Sequence, residues 1–91
     1  MSKNTDFLAA AKESQKITIK YWQDCLNEAG HSRYWLANKS GLSQSLLSDY
    51  WTGKVDMSLI NYYRICGALE LRPYLIPKEL DKNNIRNVDF N

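Results

Sequence analysis

The chain has 91 residues, 44% of them hydrophobic and 24% charged, with a formal net charge of +2. That length supports one domain around one modest core, and so small a charge does not by itself point to nucleic acid. No apolar run approaches a membrane span, and residues 7–11 are too short for a signal-peptide core, so the expected setting is cytoplasmic, with no membrane.

Residues 1–16 read as an N-terminal extension, 17–76 as the main domain and 77–91 as a polar C-terminal tail. In the extension, Thr5 is positioned to cap a helix from Asp6, with Phe7, Leu8, Ala10 and Ala11 on its apolar side. Ser14, Gln15 and Lys16 dilute the pattern, so this helix either breaks there or runs on. From Ile17 to Ala29 the helical pattern is clearer. Trp22, Leu26 and Ala29 recur at spacings of four and three, with Cys25 beside them, and Gly30 suits the helix C-terminus.

A second helix is predicted over about 33–39 and a third over 44–52. Ser32 is an N-cap for the first of these, because its hydroxyl can accept from an orphan backbone N–H. Leu36 and Ala37 face inward, and Ala37 is small enough to let another helix cross closely. Gly41 supplies a positive-φ turn, Leu42 fills the corner and Ser43 is a second N-cap. Leu47 and Tyr50 bury the inner face of the third helix, and Gly53 ends it. Ser58 caps a fourth helix over 59–69, with Leu59, Tyr62, Ile65, Cys66 and Leu69 as its inner stripe. Pro73 and Pro77 bracket the short apolar segment Tyr74, Leu75 and Ile76. The tail carries Ile85, Val88 and Phe90 as isolated apolar anchors. The expected class is all-α, with no strand pairing and no internal repeat.

The outward face of the third helix is short and polar: Gln44, Ser45, Ser48 and Asp49. Such a helix suits the DNA major groove, which admits one and presents a readable donor and acceptor code. Gln44 can match adenine N6 and N7, Ser45 and Ser48 are short donors, and Asp49 can accept from cytosine N4 or pair with a neighbouring cation. Arg33 works against the dipole at a helix N-terminus, a placement that makes sense if a phosphate lies nearby. Lys54 and Lys39 are candidate phosphate contacts of the same kind. One such helix spans few base pairs, so a dimer is expected, with Tyr74, Leu75 and Ile76 as the candidate interface and Phe90 or Phe7 and Leu8 extending it; the alternative is that Leu75 and Ile76 close the bottom of the monomer core. Trp22 reads as core; Trp35 and Trp51 cover a helix junction or a dimer contact, or stack on single-stranded nucleic acid. Cys25 and Cys66 read as reduced, buried small hydrophobes, and His31 as a structural residue of a helix-entry turn. No His, Cys and carboxylate set has metal-ligand spacing, and no nucleophile with a base, phosphate-binding loop or carboxylate pair suggests an enzyme, so no metal, cofactor or catalytic residue is expected.

The segment AGHSRYWLANKSGLSQSLLSDYWTGK, followed by MSLINYYRICGALEL, resembles the Cro/C1-type (XRE-like) helix-turn-helix repressors. The likeness covers about residues 17–76: the N-cap serine, the Leu-Ala pair, the Gly corner, the second helix, the Gly-Lys exit and a serine-initiated helix ending in Ala-Leu. It implies a compact lambda-repressor-like bundle of four or five helices that binds a palindromic double-stranded operator as a homodimer. It also implies base contacts by Gln44, Ser45 and Asp49 and phosphate contacts by Arg33, Ser43 and Lys54. His31, Trp35, Leu46 and Trp51 depart from the family pattern. The function expected is a transcriptional regulator, a repressor that excludes polymerase from an overlapping promoter. The alternative is an antitoxin-like or docking module whose main partner is another protein, held through the C-terminal tail.

Overall fold

A computed structural model of the chain describes residues 3–77, with side chains from Phe7 onward; the anchors Ile85, Val88 and Phe90 lie outside the described residues. Four helices follow in order: α1 (Lys3–Ala29), α2 (Arg33–Ser40), α3 (Gln44–Thr52) and α4 (Leu59–Ala68). They form a compact all-α bundle, and no strand occurs among the described residues.

α1 starts at Lys3, so Thr5 lies within the helix rather than capping it, and the helix runs through the diluted stretch 14–16 without a break. The reason is negative: no Gly or Pro stands between residues 3 and 29, so nothing forces an end. The sequence boundary at 16/17 therefore falls inside one helix. A helix of 27 residues spans about 40 Å, which matches the 41 Å long dimension of the molecule. Ile19, Trp22 and Leu26 face the core; Ala29, in the last turn of the helix, is exposed.

The other three helices begin alike. Ser32, Ser43 and Ser58 stand in extended backbone, and each hydroxyl accepts from the backbone N–H three residues on, at Trp35, Leu46 and Asn61. Each cap satisfies one of the N–H groups that a helix start leaves unpaired, and typically contributes about 1 kcal/mol. All four helices also end alike: a left-handed residue is followed by an N–H that returns to the carbonyl five residues back. The returning bonds are His31 to Leu26, Leu42 to Ala37, Lys54 to Asp49 and Leu71 to Cys66. This closure satisfies orphan carbonyls. Glycine holds the left-handed position in three cases; after α4 it is Glu70, at φ 58°.

α2 packs against both α3 and α4. Trp22, Leu36, Leu47 and Ile65 are fully enclosed and bring all four helices into one core, with Leu26, Ala37, Tyr50, Cys66 and Ala68 around them. The Tyr50 hydroxyl, carried into the interior, accepts from Asn61 Nδ2 at 2.8 Å and ties α3 to α4. Trp22 stacks on Trp51 at 6.4 Å and meets Tyr62 at 5.6 Å between ring centres. A further expected core position is corrected. Leu59 lies on the angular stripe of Tyr62 and Cys66, yet it is exposed. It sits in the first turn of α4, which overhangs a groove beside α1 instead of a packed neighbour.

Candidate nucleic-acid interface

The polar row of α3 is where helical geometry places it. At 100° per residue, Gln44, Ser48, Ser45 and Asp49 occupy one continuous arc opposite Leu47 and Tyr50. Gln44 and Ser45 are exposed; Ser48, which falls between them on the arc, and Asp49, at its edge, are half-buried. Ser43 is exposed too, but its hydroxyl is committed to the Leu46 N–H at 3.1 Å. Any further contact from it must use the oxygen's remaining lone pair or the hydroxyl hydrogen. Leu46 is half-buried and packs on the core, so it does not interrupt the polar row.

Cations stand at both ends of this helix. The guanidinium of Arg33, on the first residue of α2, lies 5.9 Å from the centre of the Trp51 ring in the last turns of α3. Contact of that kind contributes about 0.5–1 kcal/mol at an exposed site and limits where the arginine can reach. Lys54 leaves α3 just beyond Gly53, and Lys39 occupies the last turn of α2; both are exposed. Neither α2 nor α3 carries an acidic residue in its first turn, so the positive helix ends are uncompensated. Among the described residues the ion pairs are Lys12–Asp56 and Lys20–Asp24. Arg33, Lys39, Lys54 and Asp49 have no ionic partner there.

Two residues join this surface that sequence reasoning passed over. Arg64, on the exposed side of α4, places a guanidinium nitrogen 3.9 Å from where a Cβ at Gly41 would stand, beside the turn that leads into α3. The signal was a cation on an outward arc with no acid three or four residues away. Thr52 shares the polar arc of α3, but its hydroxyl donates back to the Ser48 and Asp49 carbonyls at 3.1 and 3.4 Å, which occupies its proton.

The charge is concentrated. Residues 31–54 hold three cations (Arg33, Lys39, Lys54) and one carboxylate (Asp49), while the remaining nine cations and nine carboxylates cancel. The whole formal charge of +2 thus belongs to the segment that carries α2 and α3.

The entry to α2 departs from the usual reciprocal cap. Trp35 stands three residues after Ser32, where a Glu or Gln side chain would return to the cap; its ring instead stacks on His31 at 3.8 Å with planes 2° apart. Trp22 is core, whereas Trp35 and Trp51 are half-buried and pack on it. Cys66 is buried and Cys25 half-buried, both as free thiols. Burial pushes the Cys66 thiol above its ordinary range, partly offset by a hydrogen bond with Tyr62, and burial likewise raises the Tyr62 phenol. No group of three or more His, Cys, Asp or Glu that could hold a metal occurs among the described residues, and none of their helices is long and apolar enough to cross a membrane. Tyr74, Leu75 and Ile76 are all exposed, outside the monomer core. Compared with family models, curated proteins and solved structures, the chain matches none.

Proposed function

We propose that the chain is a sequence-specific double-stranded DNA-binding regulator, acting as a dimer on a palindromic operator, and a repressor by steric exclusion. The observation that carries this reading is the outward face of α3. An unpartnered polar row (Gln44, Ser45, Ser48, Asp49) is flanked at its two ends by cations without ionic partners. A groove-bound helix needs short hydrogen-bonding side chains toward the base edges and cations toward the phosphates on either side. In this reading Gln44 and Ser45, nearest the helix start and most exposed, reach furthest toward bases. Arg33, Lys39, Lys54 and Arg64 neutralise backbone phosphate, and Ser43 contributes as a phosphate contact while keeping its cap. The helix starts add to the same attraction, since backbone N–H groups and the dipole favour an anion there.

Selection of bound sequences from random duplex DNA tests it. Enrichment of an approximate palindrome with half-site centres about 10 bp apart supports the reading; recovery of no preferred sequence sinks it. The alternative, a docking module for another protein, draws on the exposed apolar side chains of α4 and of residues 74–76. It requires copurification of a second small protein at fixed stoichiometry.

A further inference from the structure

We infer that the partner of the exposed α4 face is a second copy of this chain, with Leu75 of each protomer entering the groove of the other. α4 buries Ile65, Cys66 and Ala68, but Leu59, Ile60 and Tyr63 remain 67%, 65% and 49% exposed. These three positions fall on one arc of about 100° over the helix's first two turns. Tyr74 and Leu75, 76% and 101% exposed, line the same groove as Leu59 and Tyr63, and Ile76, 58% exposed, lines an adjoining recess. Between the start of α4 and α1 runs a groove of about 500 Å³, with Leu59, Tyr63, Tyr74 and Leu75 along one side and Ala11 and Gln15 among those along the other. No charged residue lines it.

Three features select a second copy as the occupant. The first is area. Weighted by their exposures, six side chains of this size present on the order of 700 Å², close to the roughly 800 Å² per partner that a stable dimer buries. The second is charge. A two-fold contact places a surface against itself, so any charge on the axis meets its own like; no charged residue lines the groove, and Arg64 and Arg72 stand outside it. A partner recognised through charge would find no complement here. The third is shape. Leu75 is fully exposed at the rim of the groove, so one face holds both a projection and a recess, as a self-complementary contact requires. The phenol oxygens of Tyr63 and Tyr74 can stay wet at the margin while their rings are covered.

This inference deepens the DNA-binding reading, because a two-fold pair is what a palindrome requires, yet its test needs no DNA. Sedimentation equilibrium on the full chain, over about 1–200 µM, should give twice the 10.6 kDa chain mass. Leu75→Asp and Leu59→Asp, made separately at exposed positions, should each keep the wild-type far-UV circular dichroism and raise the dimer dissociation constant roughly 100-fold or more, as expected when a charge enters the centre of an apolar contact. A wild-type chain that stays monomeric at 200 µM overturns the inference. So do variants that dimerise like wild type, or a dimer that forms only after residues 78–91 are removed, which would give the groove to the chain's own tail. A wild-type dimer without preference for any duplex sequence supports this interface and removes the DNA reading; a monomer that still selects a palindrome does the reverse.

Discussion

Gly41 and Gly67 invite the same substitution and should answer with opposite signs. At Gly41 a Cβ meets only an Arg64 nitrogen at 3.9 Å, so space is available; φ is +79°, however, a region that L side chains oppose. Gly41→Ala should therefore cost about 1–2 kcal/mol through backbone strain alone. At Gly67, in the last turn of α4, a Cβ meets nothing within 4 Å and φ is not positive. Gly67→Ala should add about 0.5–1 kcal/mol by restricting the unfolded chain. Glu70 completes the set: it holds at φ 58° the position that glycine occupies after the other three helices, so Glu70→Gly should relieve strain and add a few tenths to about 1 kcal/mol. In a domain this small, each kcal/mol moves the melting temperature by about 4–8 °C. Thermal melts of the three variants would therefore separate cleanly, Gly41→Ala below wild type and the other two above it. If Gly41→Ala matches or exceeds wild type, the left-handed turn between α2 and α3 is not a constraint on this fold. Gly41→Val, which adds a β-branch at the same φ, should lower stability further and abolish duplex binding by displacing α3.

Gln44→Ala should weaken binding to the selected duplex by about 1–3 kcal/mol and relax preference at one base pair, whereas Arg33→Ala should weaken all duplexes alike and flatten the salt dependence by about one unit of slope; titrations at several salt concentrations read both, and equal loss on selected and random DNA for Gln44→Ala would remove its base-reading role. Leu47→Ala empties a fully enclosed position and should cost about 2–5 kcal/mol in urea denaturation; a cost under 1 kcal/mol would mean that α3 is not anchored through this residue. Alkaline stability should fall because the folded chain holds the Cys66 and Tyr62 protons more tightly than the unfolded chain does. With folded-state values raised, the contribution is complete below the ordinary thiol value of 9.0 and is lost as pH rises through the folded values. Melts from pH 7 to 11 should decline from about pH 9, and a Cys66→Ala variant should show a shallower decline; identical slopes would exclude the thiol as a source.

The parts of this fold legible in the sequence are those decided by local rules. A serine before an apolar helical pattern marks a cap because its hydroxyl reaches a backbone N–H three residues on, and Ser32, Ser43 and Ser58 each do so. The glycines at 41 and 53 end helices for an equally local reason. Periodicity likewise placed Gln44, Ser45, Ser48 and Asp49 on one arc, because a helix cannot arrange them otherwise. What escaped was set by elements distant in the chain. Leu59 has the right angle for the core, but only the position of α1 decides whether that angle is covered. Arg64 joins the α2–α3 turn through the packing of α4 on α2, a contact that no spacing encodes. Glu70 adopts the left-handed closure in place of glycine because Leu71, which follows it, packs against the core and fixes the chain's exit.

The uneven charge distribution also governs how the molecule meets a polyanion. With two net charges on one segment and balance elsewhere, the chain is a weak cation whose excess charge sits off-centre. At physiological ionic strength fields decay over about 8 Å, less than the 14.2 Å radius of gyration. A phosphate chain approached back-first is therefore nearly invisible to the cations on the far side, while one approached face-first exerts a torque that completes the alignment. On the proposed DNA-binding reading, productive encounters are pre-oriented and misaligned ones dissolve quickly. On that same reading, the cations around α3 (Arg33, Lys39, Lys54 and Arg64) give only a shallow hold on random sequence, and hydrogen bonds to base edges set the dwell time on a preferred site.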